Sequence, residues 1–215
     1  MFQDQFRWLR FYDEVRRQFG FSVRADYISS LLLNLRIRED LEYRLANILD
    51  GKDVALVGAG PSLSNVKEVR GDVIISADGA TNYLVERGII PDVVVTDLDG
   101  LMSFPDSLYV VHAHGDNLPF HWKLDLMKSV IGTTQVYPFG RLKLYGGFTD
   151  GDRAFVLAKT FNARSIRLYA MDFDSDYIGM YSKPFLRSNV PMTHIKRRKL
   201  NIAKEIIHTL TRKDL

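Results

Sequence analysis

Apolar and polar positions alternate in two different ways along this chain, and the change falls near residue 52. Before it, Phe6, Leu9, Phe11 and Val15 recur among Arg and Glu at roughly helical spacing, with Gly20 as a stop. A longer helical pattern runs from Tyr27 to Leu49, with Asp26 in N-cap and Gly51 in C-cap position. From Lys52 onward, short β-branched runs alternate with helical stretches. The runs are Val54 to Val57, Val73 to Ser76, Val93 to Thr96, Leu108 to Val111 and Ile166 to Tyr169. Continuous apolar runs of this length suit strands buried on both faces, and their alternation with helices implies a parallel sheet. A last helix is expected from about Arg197 to Leu210. The expected fold is α/β: a Rossmann-like, mostly parallel sheet with helices on both faces. An N-terminal helical subdomain, residues 1–51, precedes an α/β domain of residues 52–215 that includes the C-terminal helix. The amphipathic N-terminal helices read as a packing or dimer surface.

Composition narrows the chemistry. The 215 residues include no cysteine, which excludes a disulfide scaffold, a thiolate metal site and a Cys nucleophile. Hydrophobic residues are 46% and charged residues 26%, as in an ordinary globular protein. No apolar run reaches the roughly 18 residues a membrane helix needs. Met1 to Arg17 lacks the apolar centre of a signal peptide. A cytoplasmic protein with no membrane partner is therefore expected. A net charge of +3 is weak for nucleic acid but suits an anionic substrate. The basic run Lys196-Arg197-Arg198-Lys199 is either a solvated face or an anion clamp.

In a parallel sheet, ligands bind beyond the carboxyl ends of the strands. Five polar loops fall on that edge. The first is Gly58-Ala59-Gly60-Pro61-Ser62. Two glycines let backbone amides approach an anion, and Pro61 suits the first turn of a helix whose N-terminus favours negative charge. The alternative is a plain tight turn. Leu63 stands where the third glycine of a dinucleotide fingerprint belongs. The second loop is Ala77-Asp78-Gly79-Ala80, and the third is Asp97-Leu98-Asp99-Gly100. Residues i and i+2 leaving a strand project to the same side, and paired carboxylates repel unless a cation lies between them. Asp97 and Asp99 thus read as Mg²⁺ ligands, against the simpler reading of an Asp-rich turn.

The fourth loop, His112-Ala113-His114-Gly115-Asp116-Asn117, with His121 beyond it, invites a zinc reading. Asp116 as a third carboxylate for Mg²⁺, with the histidines near phosphate, is preferred. The fifth is Met171-Asp172-Phe173-Asp174. Gly146 to Ala154 leads into a further helical run, Phe155 to Phe161: either Thr149 or Asp150 simply caps that helix, or Asp150, Asp152 and Arg153 face phosphates from its N-terminus. Arg141 and Lys143 lie just upstream.

Taken together in order and spacing, these motifs resemble the archaeal 6-hydroxymethyl-7,8-dihydropterin pyrophosphokinases, a family distantly similar to thiamine pyrophosphokinases. The resemblance covers about residues 52 to 175. It implies transfer of pyrophosphate from ATP to the primary hydroxyl of a reduced pterin, with Mg²⁺ as cofactor and AMP as product. By motif, it implies Asp97, Asp99 and Asp116 as Mg²⁺ ligands. Gly58, Gly60, Pro61 and Ser62 would be nucleotide-loop contacts. Asp78, Gly79, His114 and Asn117 would lie on nucleotide or pterin, and Asp150, Asp152 and Arg153 would serve catalysis. ATP and the pterin alcohol are the implied partners, no nucleic acid is expected, and a homodimer stays open. Thiamine as acceptor, a metal-dependent glycosyltransferase and a nucleic-acid binder are the competing readings.

Overall fold

The computed structural model describes residues 5–212. Three helices come first: α1 (Gln5–Phe19), α2 (Val23–Arg36) and α3 (Glu42–Leu49). The strands β1 (Asp53–Val57) and β2 (Val73–Ala77) follow, then helix α4 (Ala80–Glu86). Next come β3 (Val93–Thr96), β4 (Leu108–Ala113) and β5 (Ser129–Thr134), helix α5 (Asp150–Thr160) and strand β6 (Ser165–Tyr169). A short hairpin of β7 (Tyr177–Ile178) and β8 (Val190–Pro191) precedes the last helix, α6 (His194–Thr211). The six long strands form one parallel sheet in the order β5-β4-β3-β2-β1-β6. The α/β, Rossmann-like architecture read from the sequence is thus what the chain adopts.

The strands are apolar on both faces because both faces are covered. Val54, Leu56, Ile75, Val95 and Val110 point to one side, where Leu45 and Leu49 of α3 and Phe155 and Leu157 of α5 meet them. Val94, Tyr109 and Val111 point to the other, against Leu33 of α2. Outside α5, Trp8 and Tyr12 of α1 pack on Val156 and on Ile206 of α6. The N-terminal helices therefore contribute to the same cores as the sheet. Among the described residues, no helix is long and apolar enough to cross a membrane.

Several local expectations change. The helix expected over Tyr27 to Leu49 is two helices, and Ser22, not Asp26, caps the first. Ile37 packs in the core on one face of the sheet and Leu41 in the core on the other. The chain must turn around the sheet edge between them, which an unbroken helix cannot do. Asp26 instead accepts bonds from the Tyr12 hydroxyl (2.6 Å) and the Gly115 amide (2.9 Å). After the first glycine loop, Pro61–Asn65 is a single 3₁₀ stretch, not an α-helix. Strand β5 and the β7–β8 hairpin were not anticipated. Helix α6 starts earlier than expected, because the Thr193 hydroxyl accepts the Lys196 amide (3.2 Å) and supplies the cap.

Candidate active site

A cleft of about 340 Å³ opens at the carboxyl ends of the strands. Its floor is made by the loops after β1, β2, β3, β4 and β6, and its sides by the starts of α5 and α6 and the β7–β8 segment. Parallel pairing of β2 with β3 sets Asp78 beside the Asp97–Asp99 loop: the Asp78 amide donates to Val95 O (2.8 Å) and the Thr96 hydroxyl to Asp78 Oδ1 (2.6 Å). Asp78, Asp97 and Asp99 each present an oxygen, all within 4.8 Å of one another.

Three carboxylates so close need positive charge. Asp97 Oδ2 lies 3.3 Å from His114 Nε2, and Asp99 is ion-paired with Lys183. Asp99 Oδ1 is buried and accepts no hydrogen bond among the described residues. Burial, followed by the charges of Asp97 and Asp99, pushes Asp78 up to about 8, and burial and Asp97 raise Asp99. Burial acts upward on Asp97 too, but the His114 bond and charge and the Lys183 charge hold it below the usual carboxylate range. An all-oxygen set with one unsatisfied oxygen fits a hard divalent cation such as Mg²⁺.

The raised Asp78 has a stability consequence. Between about pH 4 and 8 it keeps its proton in the folded chain but not in the unfolded one. Stability present at the lower pH is therefore lost as pH rises through about 8. His112, lowered well below its ordinary value by burial and the nearby Arg153 and His114 charges, acts oppositely but only below about pH 6.5. In EDTA, unfolding free energy should fall by about 1 kcal/mol from pH 7 to 8.5. A chemical denaturation series reads this directly; a flat or rising profile contradicts the protonated Asp78.

The other expected site residues separate into two groups. Gly58, Gly60, Pro61, Gly79, His114, Asp150 and Arg153 line the cleft. Asp116 lines only its rim: its side chain is 74% exposed, 4.0 Å from His114 Nδ1. Asp78, not Asp116, is therefore the carboxylate grouped with Asp97 and Asp99. Asn117 is buried away from the cleft. Its Nδ2 donates to His112 O, and its Oδ1 accepts from the Ser29 hydroxyl (2.9 Å) and the His114 amide (3.3 Å), so it holds the loop.

The glycine loop departs most from expectation. The Gly58 and Gly60 amides, expected to cradle phosphate, donate to Tyr169 O and Ala170 O (both 2.9 Å). Ser62 lies outside the cleft, and its amide and hydroxyl donate to the Asp172 carboxylate (2.7 and 2.8 Å). Gly60 is glycine for close approach: a Cβ there would lie 2.6 Å from Ala170 O. The loop is thus latched to the loop after β6, which also accounts for Asp172. Asp174 is exposed and paired with Lys204 (2.7 Å).

At the start of α5, Arg153 is buried and paired with Asp150 (2.9 Å). Asp150 is raised well above the ordinary range, by burial first and then by Asp97. Asp152, expected to face phosphate, points the other way. It accepts from the Phe148 and Thr149 amides (2.6 Å each) and the Thr149 hydroxyl (2.5 Å), closing the N-cap. Lys143 is likewise spent on Asp40 (2.7 Å) and Glu42 (2.8 Å). Among the described residues the histidines form no metal-binding group: His112 is held by Thr133 (3.0 Å) and Gln135 (3.2 Å), and His121 by Ser29 (3.2 Å) and Asn117 (3.3 Å).

One feature escaped the sequence. Lys183 reaches Asp99 from the β7–β8 segment, 84 residues away. That segment sits directly on the loop after β2: a Cβ on Gly79 would lie 1.9 Å from Tyr181 O. Of the basic run read as a solvated face or an anion clamp, Lys196 and Lys199 stand in the cleft wall.

Residues 29–177 match the family model described as 6-hydroxymethylpterin diphosphokinase MptE-like. Three curated archaeal proteins, each named 6-hydroxymethyl-7,8-dihydropterin pyrophosphokinase, align along nearly their whole length. The Methanothermobacter thermautotrophicus protein is 42% identical, covering 95% of this chain and 94% of the relative. The Pyrococcus furiosus protein is 39% identical (94% and 92%) and the Methanocaldococcus jannaschii protein 37% identical (96% and 95%).

Proposed function

Because this chain belongs to the MptE-like 6-hydroxymethylpterin diphosphokinase family, we propose that it transfers a diphosphoryl group from ATP to 6-hydroxymethyl-7,8-dihydropterin. The observation that carries the reading is the Asp78–Asp97–Asp99 group at the cleft of a chain so closely related to enzymes of that name. In the reaction, the pterin hydroxyl oxygen bonds to the β-phosphorus, the bond from that phosphorus to the oxygen bridging the α-phosphorus breaks, and AMP leaves. The hydroxyl proton passes to a cleft carboxylate. Such transfers depend mainly on positioning and on electrostatic stabilisation.

Asp78, Asp97 and Asp99 would hold Mg²⁺, which offsets the charge on the transferring phosphoryl oxygens. The chain's own residues do the rest. His114 orients Asp97 through its 3.3 Å contact. Arg153, fixed by Asp150, adds positive charge beside the floor of the cleft. The β7–β8 segment covers the loop after β2 and limits water there. The reading places the protein in the cytoplasm, with ATP and a reduced pterin as its small-molecule partners. It places the product in the assembly of a pterin-based cofactor.

Incubation with ATP, Mg²⁺ and the reduced pterin should yield AMP and the pterin diphosphate in equal amounts. Stoichiometric ADP would make this a monophosphoryl kinase and overturn the reading. Thiamine, run in parallel under identical conditions, should be turned over poorly or not at all; a preference for thiamine would change the acceptor and leave the diphosphoryl chemistry.

A further inference from the structure

The cations around the cleft are mostly committed. Arg153 is paired with Asp150, Lys183 with Asp99, and Lys199 lies 5.1 Å from the Phe21 ring. Lys196 is different. It occupies the first turn of the 18-residue helix α6, set into the cleft wall. Among the described residues its ammonium has neither a hydrogen bond nor an ion pair in the structure. Burial lowers its pKa, with Lys183 and Lys199 acting in the same direction and Asp150 and Asp97 opposing.

A half-buried ammonium without a partner adds little to folding. Its position is nevertheless favourable for one kind of ligand. Lys199 stands three residues on, so both side chains leave the same face of α6 and line the same cleft. The first turn of α6 carries the positive end of the helix dipole. Three of the cleft carboxylates meet other cations, Asp97 with His114, Asp99 with Lys183 and Asp150 with Arg153, and none of these three pairs with Lys196.

We propose that Lys196, supported by Lys199 and the positive end of α6, is the seat of the oligophosphate portion of the nucleotide. This deepens the diphosphokinase reading and rests on it for the identity of the nucleotide. It does not need that reading for the anion itself. Lys196 supplies a compact charge that a phosphate oxygen can meet without bidentate geometry. The acidic group on the cleft floor then holds the cation side of the same substrate.

The test uses the full-length protein and inorganic tripolyphosphate, titrated calorimetrically with and without Mg²⁺. Wild type should bind, and Lys196→Met should weaken binding at least tenfold. Lys199→Met should weaken it less, and Lys196→Arg should keep most of it. Because Lys196 contributes no bond to the fold, Lys196→Met should melt at or above the wild-type temperature, a result a structural lysine would not give. Lys196→Gln replaces it if the Met variant does not fold. Affinity of Lys196→Met within twofold of wild type, or no binding by wild type in either condition, overturns the proposal. Loss of tripolyphosphate binding in the variant, with no AMP formed by wild type, would leave the anion seat standing and remove the diphosphokinase reading. AMP formation with unchanged tripolyphosphate affinity in Lys196→Met would do the reverse.

Discussion

Asp99→Asn is expected to lower kcat/KM for AMP-forming transfer by about a hundredfold to a thousandfold, the usual loss when one preorganised charge at a reacting phosphoryl group is removed. Asp99 has a buried oxygen without a partner, and its other oxygen meets Lys183. The amide is the same size but carries no charge, so the fold should persist: the substitution loses an ion pair and also relieves repulsion from Asp97 and Asp78. Asp97→Asn and Asp78→Asn should act alike, and Mn²⁺ titration of the nucleotide-free variants should show weakened binding. Asp116→Asn is the informative contrast, since its exposed carboxylate stands outside the group. Its effect should stay below tenfold. Near-wild-type turnover of Asp97→Asn and Asp99→Asn at saturating Mg²⁺ would remove the metal site. A loss at Asp116 as large as at Asp99 would restore Asp116 as a ligand.

The largest effect on stability is expected at Asp152→Ala. The side chain is fully buried and accepts from two amides and a hydroxyl. Removing it leaves the Phe148 and Thr149 amides without their partner and opens the cap of a helix in the main core. Lost caps cost about 0.5–2 kcal/mol and each orphaned buried donor about 1–3 kcal/mol. A total of about 3 kcal/mol is expected, or roughly 6–12 °C in Tm for a domain of this size. Differential scanning calorimetry gives the number. At a temperature where the variant is folded, KM for ATP should match wild type. An unchanged Tm with a raised KM would return Asp152 to the phosphates.

How much of this was legible depends on distance along the chain. The apolar strands β1 to β4 stand out because burial on both faces writes a local signature, and β6, an exposed edge strand, is legible only from its Ile166, Leu168 and Tyr169. Strand β5 does not stand out: Ser129, Gly132, Thr133 and Thr134 dilute its pattern, and it lies at the sheet edge. The break between α2 and α3 carries neither Gly nor Pro, since it is imposed by two cores that Ile37 and Leu41 must reach. At the site, Asp97 and Asp99 are legible because a strand end sets their spacing. Asp78 joins them only through the pairing of β2 with β3, which periodicity cannot supply. Asp152 and Asn117 share motifs with cleft residues, yet their side chains turn inward to satisfy backbone groups. Motif membership does not give side-chain direction. Lys183 comes from a stretch with little pattern of its own, whereas Lys196 lies in a basic run whose two readings the sequence alone leaves open.

The strand order also has a temporal side. Strands β1 to β5 are laid down as sequential neighbours across the sheet, whereas β6 must return to the free side of β1 after α5 has crossed the face. A chain emerging from the ribosome therefore carries β1 as an exposed, wholly apolar edge, Val54 to Val57, until more than a hundred further residues have been made. Such an edge invites pairing with another nascent chain. The finished protein closes it with a short strand bearing Ser165 and Arg167, half exposed and poorly suited to further pairing. Synthesis that stalls between α5 and β6 would leave the most aggregation-prone form of this polypeptide.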